Sequence, residues 1–278
     1  LNINKKTILI VEASSFQLAK IDKLKFNHAF LLNISKDHIE WHGTMENYIK
    51  AKLRIFKNQD SNCYAVVCVD DVYTNKIAAN FKKMFNSNLI CISCNKFKNV
   101  DIFLKTTKSE IKIFNNISNQ KIIVPFKLIN FTIVKHNFQN LLAAYVSSFL
   151  LNKTKKDFLN SLSNLNNLSH RIEYIGKSKN MSFYNDSKST NVNSAKTALD
   201  SFKDIFWILG GQAKQGGLEG IEKSLKNVIH AYVYGESNDD LSYFLTKNSV
   251  KCFKFNNLNE SLDKVSKDAE MLNKNLNI

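Results

Sequence analysis

The chain has 278 residues, 44% hydrophobic and 23% charged, the balance of a folded globular protein and not of a disordered or membrane-embedded one. At roughly 150 residues per domain this length suits about two domains. A net charge of +15 would suit an anionic partner, but the lysines are scattered among Asn and Ile with no dense basic block, so a solvated surface and no nucleic-acid partner are expected, and an anionic small substrate fits equally well.

In chain order, Thr7–Val11 is short, apolar and rich in branched residues, which predicts a buried parallel strand, and Ala29–Ile34 repeats the pattern. Ser14–Lys23 between them supplies a crossover helix, so the opening reads as a βαβ unit. Met45–Phe56 reads as a helix capped by Thr44, with Met45, Tyr48, Ile49, Lys52 and Phe56 at helical spacing, which puts Lys52 on the face that carries core residues. Tyr64–Val69 is expected as a strand and Val72–Phe85 as a helix. Short alternating stretches from Asp101 to Phe131 predict an antiparallel patch, and Asn137–Leu151 a helix. The Ser- and Asn-rich Ser161–Ser169 has the composition of a linker, giving domains 1–168 and 169–278. Beyond it, strands at Ser182–Tyr184, Ile205–Leu209 and Ala231–Tyr234 alternate with helices at Ser194–Phe202 and Glu219–Asn227, so both domains are expected to be α/β with mainly parallel sheets.

Five irregularly spaced cysteines do not make the disulfide framework of a small secreted protein, and the cytoplasm is the expected compartment. Cys91 and Cys94 form one C-x-x-C with no second pair, so two reduced cysteines are expected instead of zinc. No stretch approaches the ~20 apolar residues needed to span a bilayer, so no membrane insertion is expected. The run Ile8–Val11 is ended by Glu12 too early for a signal peptide. The first residue is Leu, which suggests a fragment.

Candidate chemistry gathers where predicted strands end, the usual ligand side of an α/β sheet. Val11-Glu12-Ala13-Ser14-Ser15-Phe16-Gln17-Leu18 follows the first strand, and Glu12 can be a metal ligand or only a solvated acid. Asn33-Ile34-Ser35-Lys36-Asp37-His38 follows the second, and its His38 together with Glu12 would give the imidazole and oxygen ligands that suit a divalent ion held against phosphates. Lys52, a possible third member, can also be a lysine snorkelling from its helix. Asn137 and Asn140 open a helix, and Asn137 can be its cap. Arg171 follows the linker, where a planar guanidinium suits phosphate. Asp186, Ser187, Lys188, Ser189 and Thr190 form a polar loop after a strand, with helix capping as the structural alternative. Gly210 and Gly211 precede Lys214 at another strand end and would admit close backbone approach to a ligand.

Ser-Ser-Phe-Gln-Leu, Asn-Ile-Ser-x-Asp-His, His-Gly before Tyr-x-x-Ala-Lys, and the later His-Arg and Asn-Asp-Ser-Lys together resemble the Mur ligase family in order and spacing over nearly the whole chain. The resemblance implies a central P-loop-type ATP-binding domain followed by a Rossmann-like, amino-acid-binding domain. It implies ATP and two magnesium ions, with Glu12, His38 and Lys52 as catalytic metal ligands and Lys52 carbamylated. Burial of Lys52 would favour that modification, because carbon dioxide adds only to a neutral amine. By the same resemblance Asn137, Asn140, Arg171, Asp186 and Lys188 bind ATP, while Ser14, Thr190 and Lys214 bind substrate. Ser-Ser-Phe-Gln-Leu is most similar to the member that adds D-glutamate to UDP-N-acetylmuramoyl-L-alanine, implying those two substrates and a monomer.

The family's phosphate loop is not found in this sequence. Gly176-Lys177-Ser178 has Arg171 where the loop requires Gly. The expectation is therefore a sequence truncated at both ends and inactive by itself. Glu40-Trp41 stands where the family often has Asp-Arg, and Ser169 replaces a common Pro. Two other readings remain open: a different ATP-dependent amide ligase of the Mur and folylpolyglutamate superfamily, or a basic nucleic-acid-binding module.

Overall fold

The computed structural model describes residues 4, 7–129, 137–165, 168–212, 217–272 and 274–278. The chain divides into two compact units, one of residues 1–126 and 137–158, the other of residues 127–136 and 159–278. The division at Phe158 and Leu159 lies ahead of the Ser161–Ser169 stretch and of the boundary expected at Leu168.

In the first unit the order is α1 (Ser15–Lys20), β1 (His28–Leu31), α2 (Ile39–His42), α3 (Met45–Leu53), β2 (Tyr64–Cys68), α4 (Val72–Met84), β3 (Asn88–Ser93), β4 (Ile102–Thr106), β5 (Glu110–Asn115), β6 (Gln120–Pro125) and α5 (Asn137–Leu150). Among the described residues the six strands form one sheet in sequential order. β1 to β4 are parallel, with Phe30 opposite Val66 and Val67 opposite Cys91, while β4, β5 and β6 are antiparallel, with Phe103 opposite Phe114 and Ile113 opposite Ile122. This is the antiparallel patch expected from the alternating pattern. β2 is buried on both faces, which explains its unbroken Ala-Val-Val-Cys, whereas β5 alternates buried and half-buried positions as a two-faced strand does. Phe56 and Phe81, both fully buried with ring centroids 5.3 Å apart, centre the core between the sheet and the α3 and α4 side.

Residues 7–11 correct one expectation. They form no strand, and Ile8, Leu9, Ile10 and Val11 are 56–94% exposed. Branched apolar residues favour an extended chain only where a neighbouring strand completes the ladder, and among the described residues β1 stands at the edge of its sheet with β2 as its one partner. β3 is a strand that the sequence reading passed over.

α6 (Lys155–Ser163) spans the division between the units. The second unit continues with β7 (Glu173–Ser178), β8 (Met181–Asn185), α7 (Val192–Ser201), β9 (Ile205–Gly210), β10 (Val228–Tyr234), α8 (Asn238–Lys247), β11 (Lys251–Phe255), α9 (Leu258–Met271) and β12 (Leu276–Asn277). The helix expected over Glu219–Asn227 is a 3-10 helix confined to Glu222–Asn227. The described strands form a sheet in the order β11-β10-β9-β12-β8-β7, parallel throughout except for the β7–β8 pair. One core lies under α7 and α8 around Leu225, Val233 and Leu245; another lies under α9 around Phe206, Tyr232 and Val265. Both units are thus mixed α/β with mainly parallel sheets, as expected.

Candidate active site

Three segments of the first unit meet at one cavity of about 390 Å³. It is lined by Glu12, Ala13, Ser14, Ser15, Gln17, Asp37, His38, Tyr48 and Lys52. The structure therefore brings together Glu12 and Ser14, His38, and Lys52, from three separate stretches of the sequence.

Each wall has a local cause. Ser14 caps α1: its hydroxyl accepts from the Gln17 amide at 3.3 Å while the Gln17 side-chain oxygen accepts from the Ser14 amide at 2.8 Å. This reciprocal box fixes the turn that carries Glu12 out of the coil. Glu12 itself is exposed. The second wall follows β1, where the amide of Ile34 donates to Asp71 Oδ2 at 3.1 Å. His38 takes a left-handed conformation (φ 54°) at the start of α2, and its amide donates to Asp37 Oδ1 at 3.0 Å. Its ring faces carboxylates on both sides, with Nε2 3.5 Å from Asp37 and Nδ1 3.8 Å from Glu40. The third wall is α3, capped by Thr44, whose hydroxyl accepts from the Asn47 amide at 3.1 Å. Lys52 lies in its last turn, with Nζ 5.1 Å from the centre of the Tyr48 ring.

Burial lowers the pKa of Lys52, opposed by the charge of Asp37, which favours the ammonium. The Tyr48 hydroxyl is pushed up by burial and, secondarily, by Asp37. Asp37 and Tyr48 were not singled out as site residues; the signal for Asp37 was its place directly before His38 in the same strand-end loop.

Carboxylates, an imidazole and a lysine whose pKa burial lowers are a donor set that fits a divalent ion beside phosphate. Among the described residues no three His, Cys, Asp or Glu side chains converge as a ready metal cage. Magnesium does not need one, because it keeps several waters and is held by one or two carboxylates together with substrate phosphates. The open, polar cavity is of that kind. The C-x-x-C residues Cys91 and Cys94 are free thiols, and burial, with the charge of Asp101 beside it, raises the Cys91 pKa to about 11, away from the reactive thiolate.

Asn137 and Asn140 lie in the first turn of α5 and are not among the residues that line the cavity. The adjacent Gln139 accepts from Asn33 at 3.1 Å, which ties the start of α5 to the end of β1.

In the second unit the loop after β8 gathers Arg171, Asp186, Lys188 and Thr190. The Arg171 guanidinium donates to the Lys188 carbonyl at 3.4 Å and the Lys188 amide to the His170 carbonyl at 3.2 Å. Asp186 Oδ1 accepts from the Ile172 amide at 3.0 Å, and Oδ2 accepts from the Ser189 hydroxyl. Ile172 is branched yet adopts a left-handed conformation (φ 46°), a strained state that needs such support. Asp186 thus has a structural task whatever else it binds. Thr190 is exposed, its amide 3.0 Å from the Lys188 carbonyl.

Lys214 lies outside the described residues. Of the glycines before it, Gly210 is required by the neighbouring strand: a Cβ there would stand 2.3 Å from the Tyr234 carbonyl oxygen.

A family model described as the Mur ligase middle domain matches residues 2–148. The UDP-N-acetylmuramoylalanine--D-glutamate ligase of Rickettsia prowazekii (strain Madrid E) is 35% identical over 228 residues, covering 82% of this chain and 49% of that protein. The chain spans about half the length of the curated relatives it matches. Among solved structures, MurF from Acinetobacter baumannii superposes with a TM-score of 0.67 at 16% identity, over 95% of this chain and 57% of that one. MurF ligase from Thermotoga maritima in complex with ADP does so with a TM-score of 0.63 at 18% identity, over 91% and 57%. These two likenesses are of fold. With more than half of its length matched by the middle-domain model, the chain belongs to the Mur ligase family.

Proposed function

We propose that this chain supplies ATP- and amino-acid-binding parts of a cytoplasmic, monomeric ligase that joins D-glutamate to UDP-N-acetylmuramoyl-L-alanine in peptidoglycan precursor synthesis. The observation that carries the reading is the convergence of Glu12, Asp37, His38 and Lys52 on one cavity, with the Lys52 pKa lowered by burial. The name shared by the curated relatives supports the choice of D-glutamate. No helix of the described residues is long and apolar enough to cross a membrane.

In the reaction, an oxygen of the L-alanine carboxylate attacks the γ-phosphorus of ATP and ADP leaves. The D-glutamate amine then attacks the carbonyl carbon of the acyl phosphate, phosphate departs, and the amine loses a proton as the amide forms. Two magnesium ions, when bound, would neutralise charge gathering on the transferred phosphoryl group. Glu12 and His38 would hold them, with Lys52 as its carbamate. Burial of Lys52 shifts its amine toward the neutral form that carbon dioxide needs, against the charge of Asp37, and the Thr44-capped helix fixes where that group stands. Arg171, Asp186 and Lys188, with Asn137 and Asn140 of the first unit, are proposed to bind the nucleotide. Ser14, Thr190 and Lys214 are proposed to meet the other substrates. No protein nucleophile is needed, so the chain acts by positioning and electrostatics.

The test is D-glutamate-dependent ADP release by the intact gene product, compared across a panel of amino acids. Glu12→Ala and Lys52→Ala are each expected to reduce turnover by at least about a hundredfold, the scale seen when one electrostatic contact to a developing charge is removed. Undiminished turnover in both, or equal use of another amino acid, would overturn the reading.

A further inference from the structure

The three segments that wall the cavity share one buried neighbour that lines none of it. His42, 8% exposed, ends α2. Its Nε2 lies 2.9 Å from the hydroxyl of Ser15, itself 4% exposed. Its amide donates to the His38 carbonyl at 3.1 Å, closing the turn that presents His38. Its ring packs on Tyr48 at 5.2 Å and on Phe16 at 5.6 Å, and Tyr48 is the ring beneath the Lys52 amine. Asn47 of α3 donates to the His42 carbonyl at 3.1 Å. One residue thus touches the segment following Glu12, the turn of His38 and the helix of Lys52.

We infer that His42 is a positioning residue that sets the spacing between the Glu12, His38 and Lys52 walls through its hydrogen bond to Ser15 and its packing on Tyr48. The inference rests on the reading of those three residues given under Proposed function. Its physical basis is that a buried hydroxyl and a buried ring nitrogen each lose free energy if left unpaired. The Ser15–His42 pair therefore holds one register of α1 against α2. Phe16, in edge contact with His38 at 4.8 Å and also packed on His42, passes that register to the His38 ring.

The test uses the intact gene product with ¹³C-labelled bicarbonate. The carbamate carbonyl resonance that Lys52→Ala removes reports the state of Lys52 independently of turnover. His42→Phe keeps a ring of similar volume and deletes the nitrogen facing Ser15; His42→Gln keeps a polar atom near it. His42→Phe is expected to weaken the resonance and lower kcat by about 10- to 100-fold, the range for partners that orient ligands from behind, with KM for D-glutamate little changed. His42→Gln is expected to recover most of both. Ser15→Ala should reproduce His42→Phe, and the double variant should add little, because both remove one interaction. A folded His42→Phe with wild-type kcat and resonance overturns the inference, as do effects of the two single variants that multiply. Should His42→Phe fail to fold, Ser15→Ala with wild-type kcat and resonance overturns it instead. A wild-type protein without the resonance, together with undiminished turnover in Lys52→Ala, removes the underlying reading and this inference with it.

Discussion

Lys52 shows how much one side chain can reveal before its role is known. The spacing of Met45, Tyr48, Ile49 and Phe56 placed it on the apolar face of its helix, and the structure finds it half-buried over Tyr48. What the spacing could not supply was the company of Glu12 and His38, since nothing local links residues 12, 38 and 52; the family resemblance brought them to one site. Asp37 and His42 were quoted within motifs but given no role, because a loop acid and a helix-end histidine carry no periodic signal. The lowered pKa of Lys52 has a consequence for stability. Between its folded pKa and the higher value of the unfolded chain, the unfolded state binds more protons, so stability rises with pH across that window, and below it the full cost of the buried charge remains. In metal-free, carbon-dioxide-free buffer, Lys52→Met should raise the thermal midpoint at neutral pH, and the gain should shrink as pH climbs through the folded pKa. A variant less stable than wild type at neutral pH would contradict this. In the second unit the fully buried Tyr232 donates to Asp268 Oδ2 at 3.0 Å, while Lys264 holds Oδ1 at 2.5 Å. Tyr232→Phe strips one partner from a buried carboxylate and should cost about 1–3 kcal/mol in urea unfolding; a midpoint unchanged from wild type would show that water replaces the hydroxyl.

Among the elements, those that announce both ends were legible. α3 carries its cap in Thr44, and α4 carries Asp71, whose Oδ1 accepts from the amides of Tyr73 at 2.8 Å and Thr74 at 2.9 Å. The short run at residues 7–11 misled because a strand is defined by its neighbours, and its own residues say nothing of them. β11 and α9 went unread for another reason. Lys251–Phe255 is interrupted by lysines, and the buried face of α9 is built from Ser261, Val265, Asp268 and Ala269, too polar to stand out as an apolar stripe. Asp71 joins element to site, since its second oxygen receives the Ile34 amide at the start of the His38 loop. Asp71→Ala should therefore lose the cap, about 0.5–2 kcal/mol, and also loosen that loop. The expected outcome is a lower denaturation midpoint with faster exchange of the Ile34 amide. An Ile34 amide as protected as in wild type, despite the lost cap, would show that the loop is held by other contacts.

At the scale of the whole molecule, each unit has a core of its own, one around Phe56 and Phe81, the others around Leu225, Val233, Phe206 and Val265. The sequence anticipated two α/β parts from the change of composition near Leu168. Its boundary rested on the Ser- and Asn-rich stretch, and local composition carries no record of which residues pack together. Separate cores predict separate responses to damage. Phe56→Ala removes a fully buried ring and should destabilise the first unit by about 3–5 kcal/mol, while Tyr232→Phe acts on the second. Residues in different cores share no partners, so in the double variant the two costs should add within about 0.5 kcal/mol. Differential scanning calorimetry should then resolve two transitions, one moved by Phe56→Ala and the other by Tyr232→Phe. A single transition that shifts as one under either substitution would mean that the two cores unfold together, and the division into units would then describe packing density without describing cooperativity.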